Sequence, residues 1–257
     1  MFDISNLRSR RLTRAVQSKV LSYMKEHDVF IPDRNWILSL LLPDEAGSIL
    51  DIGPNVYLFR ELLDRPKRAK YSYCAMDVEK RFEKSDNVNE VMHDANVAPY
   101  PFPDGSFDLI IASDVIEHIR DTDTFLSEVA RLLKPEGQFF LSTPNYASLF
   151  CIAKALRGLM FHDPLGREVD RYCYREHVHF FTHKGLYPYL EHFGLHASYT
   201  IASGLKTDID FARRNGAWGK LLTLGFNAAS RMSYRLSPEI FVIAGKLPAR
   251  NRIVRAA

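Results

Sequence analysis

Short apolar runs that each end on a polar residue, with helical stretches between them, constrain this chain more than any other feature of its 257 residues. The first, Ser48-Ile-Leu-Asp-Ile-Gly53, ends in Asp51 and a glycine and is followed by a helical stretch over 58–63. Residues 71–76 run into Asp77, 87–92 into His93-Asp94, 107–112 into Ser113, and 138–142 lead to Asn145. A helix over 124–133 separates the last two runs and is expected to stop at Lys134-Pro-Glu-Gly137, where proline and glycine break the pattern. Strands alternating with helices at this spacing predict a parallel sheet covered on both faces. Ligands of such sheets bind beyond the carboxyl ends of the strands. The polar residues gathered there, Asp51, Asp77, Asp94, Ser113 and Asn145, therefore predict a site.

The flanks read differently. Leu12, Val16, Val20 and Met24 recur four apart, as on one face of a helix, and a second short helix is expected over 36–42 ahead of Pro43. Residues 146–181 interrupt the alternation with aromatics and histidines, among them Phe150, Tyr172, Tyr174, His177, His179, Phe180 and Phe181, and read as an inserted cap. Thr182 suits the N-cap of a helix running to His192 and ended by Gly194. A strand over 195–202, an amphipathic helix over 216–236 and a last strand over 240–244 complete the chain. One domain over 1–257 is expected: a helical segment 1–44, a core 45–145, the cap 146–181, a C-terminal part 182–246 and a basic tail 247–257.

Composition narrows the setting. With 46% hydrophobic and 25% charged residues, a chain of this length buries a full core without disulfides or structural metals. Cys74, Cys151 and Cys173 show no pairing framework or CxxC spacing, which predicts a reducing, cytoplasmic setting. No apolar segment follows the charged opening, so no secretory signal is expected, and no run of 18 apolar residues predicts a membrane span. The net charge of +3 hides an asymmetry, because nine Lys or Arg face the single acid Glu239 from Ala212 onward. Such a segment suits solvated helix faces first, and peripheral contact with anionic lipid or nucleic acid second. Gly53-Pro-Asn-Val-Tyr-Leu lacks the glycines of a dinucleotide fold and no P-loop occurs, so a ligand without phosphates fits better.

Residues 48–145 resemble class I S-adenosylmethionine-dependent methyltransferases, and in particular the small-molecule branch that includes the ubiquinone-biosynthesis O-methyltransferases. The resemblance rests on Ser48-Ile-Leu-Asp-Ile-Gly53, Ala75-Met-Asp77, His93-Asp94, Pro101-Phe-Pro-Asp-Gly-Ser-Phe-Asp108 and Ser113-Asp-Val-Ile-Glu-His118. It continues through Phe125-Leu-Ser-Glu-Val-Ala-Arg-Leu-Leu-Lys-Pro-Glu-Gly137, Leu141-Ser-Thr-Pro-Asn145 and His177-Val-His-Phe-Phe-Thr182. It implies a three-layer, Rossmann-like α/β fold whose seven-stranded, mostly parallel sheet carries helices on both faces. It also implies S-adenosyl-L-methionine as cofactor, with Asp51, Gly53, Asn55 and Ser113 at the methionine end. Asp77 and Val78 would lie at the ribose, and Asp94 and the Ala95 backbone at adenine. A carboxylate's two oxygens suit a vicinal diol. The structural alternatives are a helix N-cap for Asp77 and a turn for Asp94. The sequence departs from the family's G-x-G-x-G at Asn55 and Tyr57, which keeps a catalytically silent binding or scaffold protein as the competing function.

Methylation of a hydroxyl requires its proton to be removed by a base or its oxygen to be polarised by a metal. In the ubiquinone-type relatives the positions of Asp114, Glu117 and His118 are associated with a divalent metal such as Mg. One helical turn would bring these three side chains together. The other two readings are that His118, with Glu117, is a base without metal, or that both residues only cap and pack the next helix. His177 and His179 would share one face of an extended segment and shape the acceptor pocket or supply the base. The acceptor implied is a small molecule or a glycan- or lipid-linked group, methylated at oxygen. Nucleic acid is disfavoured, because Ser113-Asp-Val-Ile stands where its methyltransferases carry Asn/Asp-Pro-Pro-Tyr/Phe.

Overall fold

The computed structural model describes residues 38, 42, 47–54, 70–83, 88–156, 158, 177–202, 221, 224–225, 228 and 233–246. The helices expected over 12–24 and 58–63, most of the cap, most of 216–236, the basic tail, and Asn55 and Tyr57 lie outside the described residues. Seven strands form one sheet: β1 (Gly47–Ile52), β2 (Tyr71–Asp77), β3 (Asn89–Met92), β4 (Phe107–Ser113), β5 (Leu133–Pro144), β6 (Leu195–Ala202) and β7 (Glu239–Lys246). Their order is β3-β2-β1-β4-β5-β7-β6. Every pair from β3 to β5 is parallel, and β7 runs antiparallel between β5 and β6. The chain order turns around between β1 and β4, which is where such a sheet opens a crevice at its strand ends.

Side-chain alternation divides the core into two layers. Leu50 and Ile52 of β1, Ile110 and Ala112 of β4, and Phe139 and Leu141 of β5 face one way. There they pack with Phe125, Leu126 and Val129 of helix α1 (Thr122–Leu132) and with Leu186 and Leu190 of helix α3 (His183–His192). Ile49, Leu109, Ile111 and Phe140 face the other way, where the helical residue Leu38 meets them. Full burial of such side chains contributes about 1.5–3 kcal/mol each, so both layers hold the sheet. Helix α2 spans Leu149–Leu156, within the stretch expected as a cap. Among the described residues no helix is long and apolar enough to cross a membrane.

Two expectations are corrected at element boundaries. Helix α1 starts at Thr122, because the Asp121 carboxylate accepts from Thr124 N at 3.0 Å as its N-cap. The stretch Lys134-Pro-Glu-Gly137 does not separate helix from strand; it lies inside β5 as a bulge between the pairs Phe107–Leu133 and Leu109–Gln138. Other elements follow the pattern closely, with Thr182 as N-cap of α3 donated to by Gly185 N and β6 on the expected residues.

Candidate functional site

The turn that leaves β1 sets the geometry of the crevice. Gly53 takes φ +62°, and its N–H donates to Met76 O at 2.9 Å, which ties the turn to the end of β2. Asp51, one residue before the strand end, does not line an open rim. It is 3% exposed and lies on the Ile49 face of the sheet, where the Tyr73 hydroxyl donates to its Oδ2 at 2.6 Å. Burial pushes this carboxyl up to about 7 against the Tyr73 hydrogen bond, and the charge of Asp77 adds to the rise. Asp51 is thus held inside the sheet by Tyr73, next to the turn at Gly53.

Asp77 closes β2 with both oxygens engaged. Oδ1 accepts from Glu79 N at 3.2 Å and Oδ2 from Arg81 Nε at 2.9 Å. Val78 beside it is exposed. Past β3, Asp94 forms a turn, its Oδ1 accepting from the Asn96 backbone and side chain at 2.9 and 2.8 Å. Those bonds hold its carboxyl below the usual range. Oδ2 of Asp94 has no hydrogen-bond partner among the described residues and faces solvent with the rest of the side chain. Ala95 O accepts from the Tyr100 hydroxyl, and Asn96 Oδ1 accepts from Arg120 N at 2.7 Å, which fixes the loop against the segment beyond β4. Ser113 at the end of β4 meets the Ser142 hydroxyl at 3.1 Å.

The segment after β4 does not form the expected turn of α-helix. Asp114 has φ 56°, and a short 3₁₀ helix begins only at Ile116. Reversed in this way, Asp114 accepts from the Ser142 hydroxyl at 2.9 Å instead of joining Glu117 and His118. His177 takes the vacant place: one ligand atom each from Glu117, His118 and His177 lie within 4.8 Å of one another. Glu117 is 1% exposed and its Oε2 accepts from Thr143 Oγ1 at 2.9 Å. Its backbone oxygen accepts from Val178 N at 2.8 Å and His179 N at 3.3 Å, which docks the cap's last segment on the cluster. The His118 and His177 rings meet edge to face at 4.6 Å, and Tyr146 Oη lies 3.0 Å from His177 Nδ1. His179 turns to the Arg120 carbonyl at 3.3 Å and stays outside the cluster. Asn145, predicted at the rim, is fully buried and fastens β5 to Arg235 O and Ser237 O.

Four residues that the linear pattern did not single out complete the arrangement: Tyr73, Arg81, Thr143 and Tyr146. Tyr73 of β2 and Thr143 of β5 are hydroxyl donors, Arg81 donates from the loop after β2, and Tyr146 brings its ring and hydroxyl from the turn after β5. Only Tyr73 left a signal, because alternation places it on the Asp51 face of the neighbouring strand.

A family described as a methyltransferase domain matches residues 30–198. A probable S-adenosylmethionine-dependent methyltransferase of Mycolicibacterium smegmatis is 48% identical over 50 residues, which is 20% of each chain. The human mitochondrial ubiquinone biosynthesis O-methyltransferase is 43% identical over 66 residues, 26% of this chain and 17% of that protein. A dimethylglycine N-methyltransferase of Parasynechococcus marenigrum is 43% identical over 110 residues, 40% of this chain and 39% of its own. The chain thus spans well under half the length of the curated relatives it matches. In fold it is similar to a SAM-dependent methyltransferase from Archaeoglobus fulgidus, with TM-score 0.53 at 17% identity over 83% of this chain and 90% of that one.

Proposed function

Because the chain belongs to the methyltransferase-domain family, we propose that it transfers a methyl group from S-adenosyl-L-methionine to a small-molecule or glycan- or lipid-linked acceptor, at an oxygen atom. The observation that carries this reading is the polar rim at the β1/β4 reversal, with Asp77 and Asp94 on successive strand ends. The donor and acceptor set fits the cofactor. Each Asp77 oxygen already accepts one bond, from Glu79 N or Arg81 Nε, and its remaining lone pair can accept from a ribose hydroxyl; Asp94 Oδ2 offers an acceptor to the adenine amine, and Ala95 N–H a donor to a ring nitrogen. Val78 flanks the ribose, and Gly53 and Ser113 border the methionine end. The relatives include both an O-methyltransferase and an N-methyltransferase; oxygen is favoured here because Glu117, His118 and His177 stand together as groups able to take a hydroxyl's proton.

Bound there, the cofactor supplies an electrophilic methyl group on a sulfonium. The protein's own part is chiefly to hold donor and acceptor in line. Glu117, His118 and His177 form the acceptor side, where a hydroxyl must lose its proton or have its oxygen polarised as the new bond forms. Phe180, half exposed beside Tyr146, gives an acceptor an apolar ring to rest on.

Calorimetry with S-adenosylmethionine tests the reading. Binding is expected, and no heat and no thermal shift at millimolar cofactor would leave the silent scaffold in its place. With an acceptor identified by mass spectrometry of co-purified ligand, His118→Ala should lower turnover by about 100-fold or more. Its cofactor affinity should change little.

A further inference from the structure

The metal set implied by the ubiquinone-type relatives, Asp114 with Glu117 and His118, does not assemble in this chain, because Asp114 is turned to Ser142. We propose that Glu117, His118 and His177 instead form a mononuclear site for a first-row transition cation of the Zn²⁺ class, with Mg²⁺ disfavoured. Two imidazoles and one carboxylate suit Zn, Fe, Co or Ni, whereas Mg²⁺ seeks oxygen ligands and keeps its waters.

Four observations converge on this site. The three ligand atoms lie within 4.8 Å of one another, so small side-chain shifts bring them to one ion. The Nδ1 atom of His118 is buried and has no hydrogen-bond partner among the described residues, an unfavourable state that a bound cation relieves. His177 Nδ1 lies 3.0 Å from the Tyr146 hydroxyl, which fixes the orientation of its ring as ligating histidines commonly are fixed. Thr143 orients Glu117 in the same manner through Oε2. The set also joins two distant parts of the chain, since the Glu117 carbonyl accepts from Val178 N and His179 N. A cation here would therefore fasten the last segment of the cap to the end of β4. That this ion lies on the acceptor side rests on the proposed function; cation binding itself does not.

The test uses the full chain, stripped with a chelator and without cofactor. Titration with Co²⁺ is followed by visible absorption, with Zn²⁺ as competitor and Mg²⁺ in a separate calorimetric arm. One equivalent of Co²⁺ should bind with ligand-field bands, Zn²⁺ should displace it, and both should bind at least 100-fold more tightly than Mg²⁺. His177→Ala should lower Co²⁺ affinity at least 100-fold, and Tyr146→Phe about 10-fold, the scale for losing an orienting partner. Asp114→Asn, which keeps the acceptor for Ser142, should leave the affinity unchanged. Absence of stoichiometric Co²⁺ binding overturns the proposal, as does Mg²⁺ binding as tightly as Zn²⁺. Equal losses in Asp114→Asn and His177→Ala overturn it too. Should His177→Ala fail to fold, the wild-type titration and Asp114→Asn still decide. Cofactor calorimetry on the same sample separates the two readings, since cation binding without cofactor binding sinks the functional one alone.

Discussion

The Cβ atom that Gly53 lacks would stand 2.7 Å from Cγ2 of Val115, so the turn leaving β1 and the segment leaving β4 are in contact at the crevice with no room for a side chain. Gly53 also holds φ +62°, which costs an L residue roughly 1–2 kcal/mol. Gly53→Ala should therefore destabilise the fold by more than that conformational cost. Adding Val115→Ala removes Cγ2 and should recover the steric part while leaving the conformational part. Denaturant unfolding of both single variants and the double variant measures this as a favourable coupling energy. Strict additivity would show that the two segments do not press on one another.

At the carboxylate proposed to hold the ribose, Asp77→Ala should weaken S-adenosylmethionine binding by about 1.5–3 kcal/mol, the scale of two lost charge-assisted hydrogen bonds. Arg81, whose side chain is 46% exposed, should matter much less, with Arg81→Ala shifting affinity by under about 1 kcal/mol. Calorimetry on both variants distinguishes a carboxylate that holds the cofactor from one that only pairs with Arg81. Equal losses would favour the second.

Asp51 makes stability fall as pH rises. Its carboxyl titrates near 7 in the folded chain against an ordinary value of 3.8, so the folded state retains a proton that the unfolded state has released. The contribution is full below the unfolded value and is lost as pH climbs to the folded one. At roughly 1.4 kcal/mol per unit, this amounts to a few kcal/mol. Asp51→Asn should flatten the decline between about pH 4 and 7 seen in thermal melts. Tyr73→Phe removes the hydrogen bond that opposes the rise and should extend the decline to higher pH. A wild-type profile that rises across this window would remove Asp51 as the controlling group.

Arg131 locks the loop before β4 to α1. Its guanidinium donates to both oxygens of Glu128 at 2.9 and 2.7 Å, to Phe102 O at 2.9 Å and to Asp104 at 2.6 Å. Glu128 in turn accepts from Tyr100 N at 2.6 Å. Arg131→Ala leaves the largely buried Glu128 without its cation and should cost about 3 kcal/mol by chemical denaturation. Lysine should rescue little, because a point charge cannot reproduce the planar fork. A loss below about 0.5 kcal/mol would place the network among ordinary surface pairs.

The alternating α/β architecture, the cap position of Thr182 and the strand ends that carry Asp77 and Asp94 can all be read from the residues in order. These are short-range matters: side-chain period, turn chemistry and capping act within a few residues, so they are written along the chain. Tertiary structure alone decided the direction of β7, the bulge that takes Lys134-Pro-Glu-Gly137 into β5, and the partners of the buried polar groups. Asp51 needed Tyr73 from the next strand, Glu117 needed Thr143 from 26 residues away, and His177 met Tyr146 across 31. Asp114 shows the reason most clearly. Its spacing to Glu117 and His118 is that of a helical turn, but a backbone hydrogen bond to Ser142 O at 3.0 Å and φ 56° turn it out of that group. A buried polar atom takes whichever partner the packed chain brings within about 3 Å, and spacing along the sequence does not encode that choice.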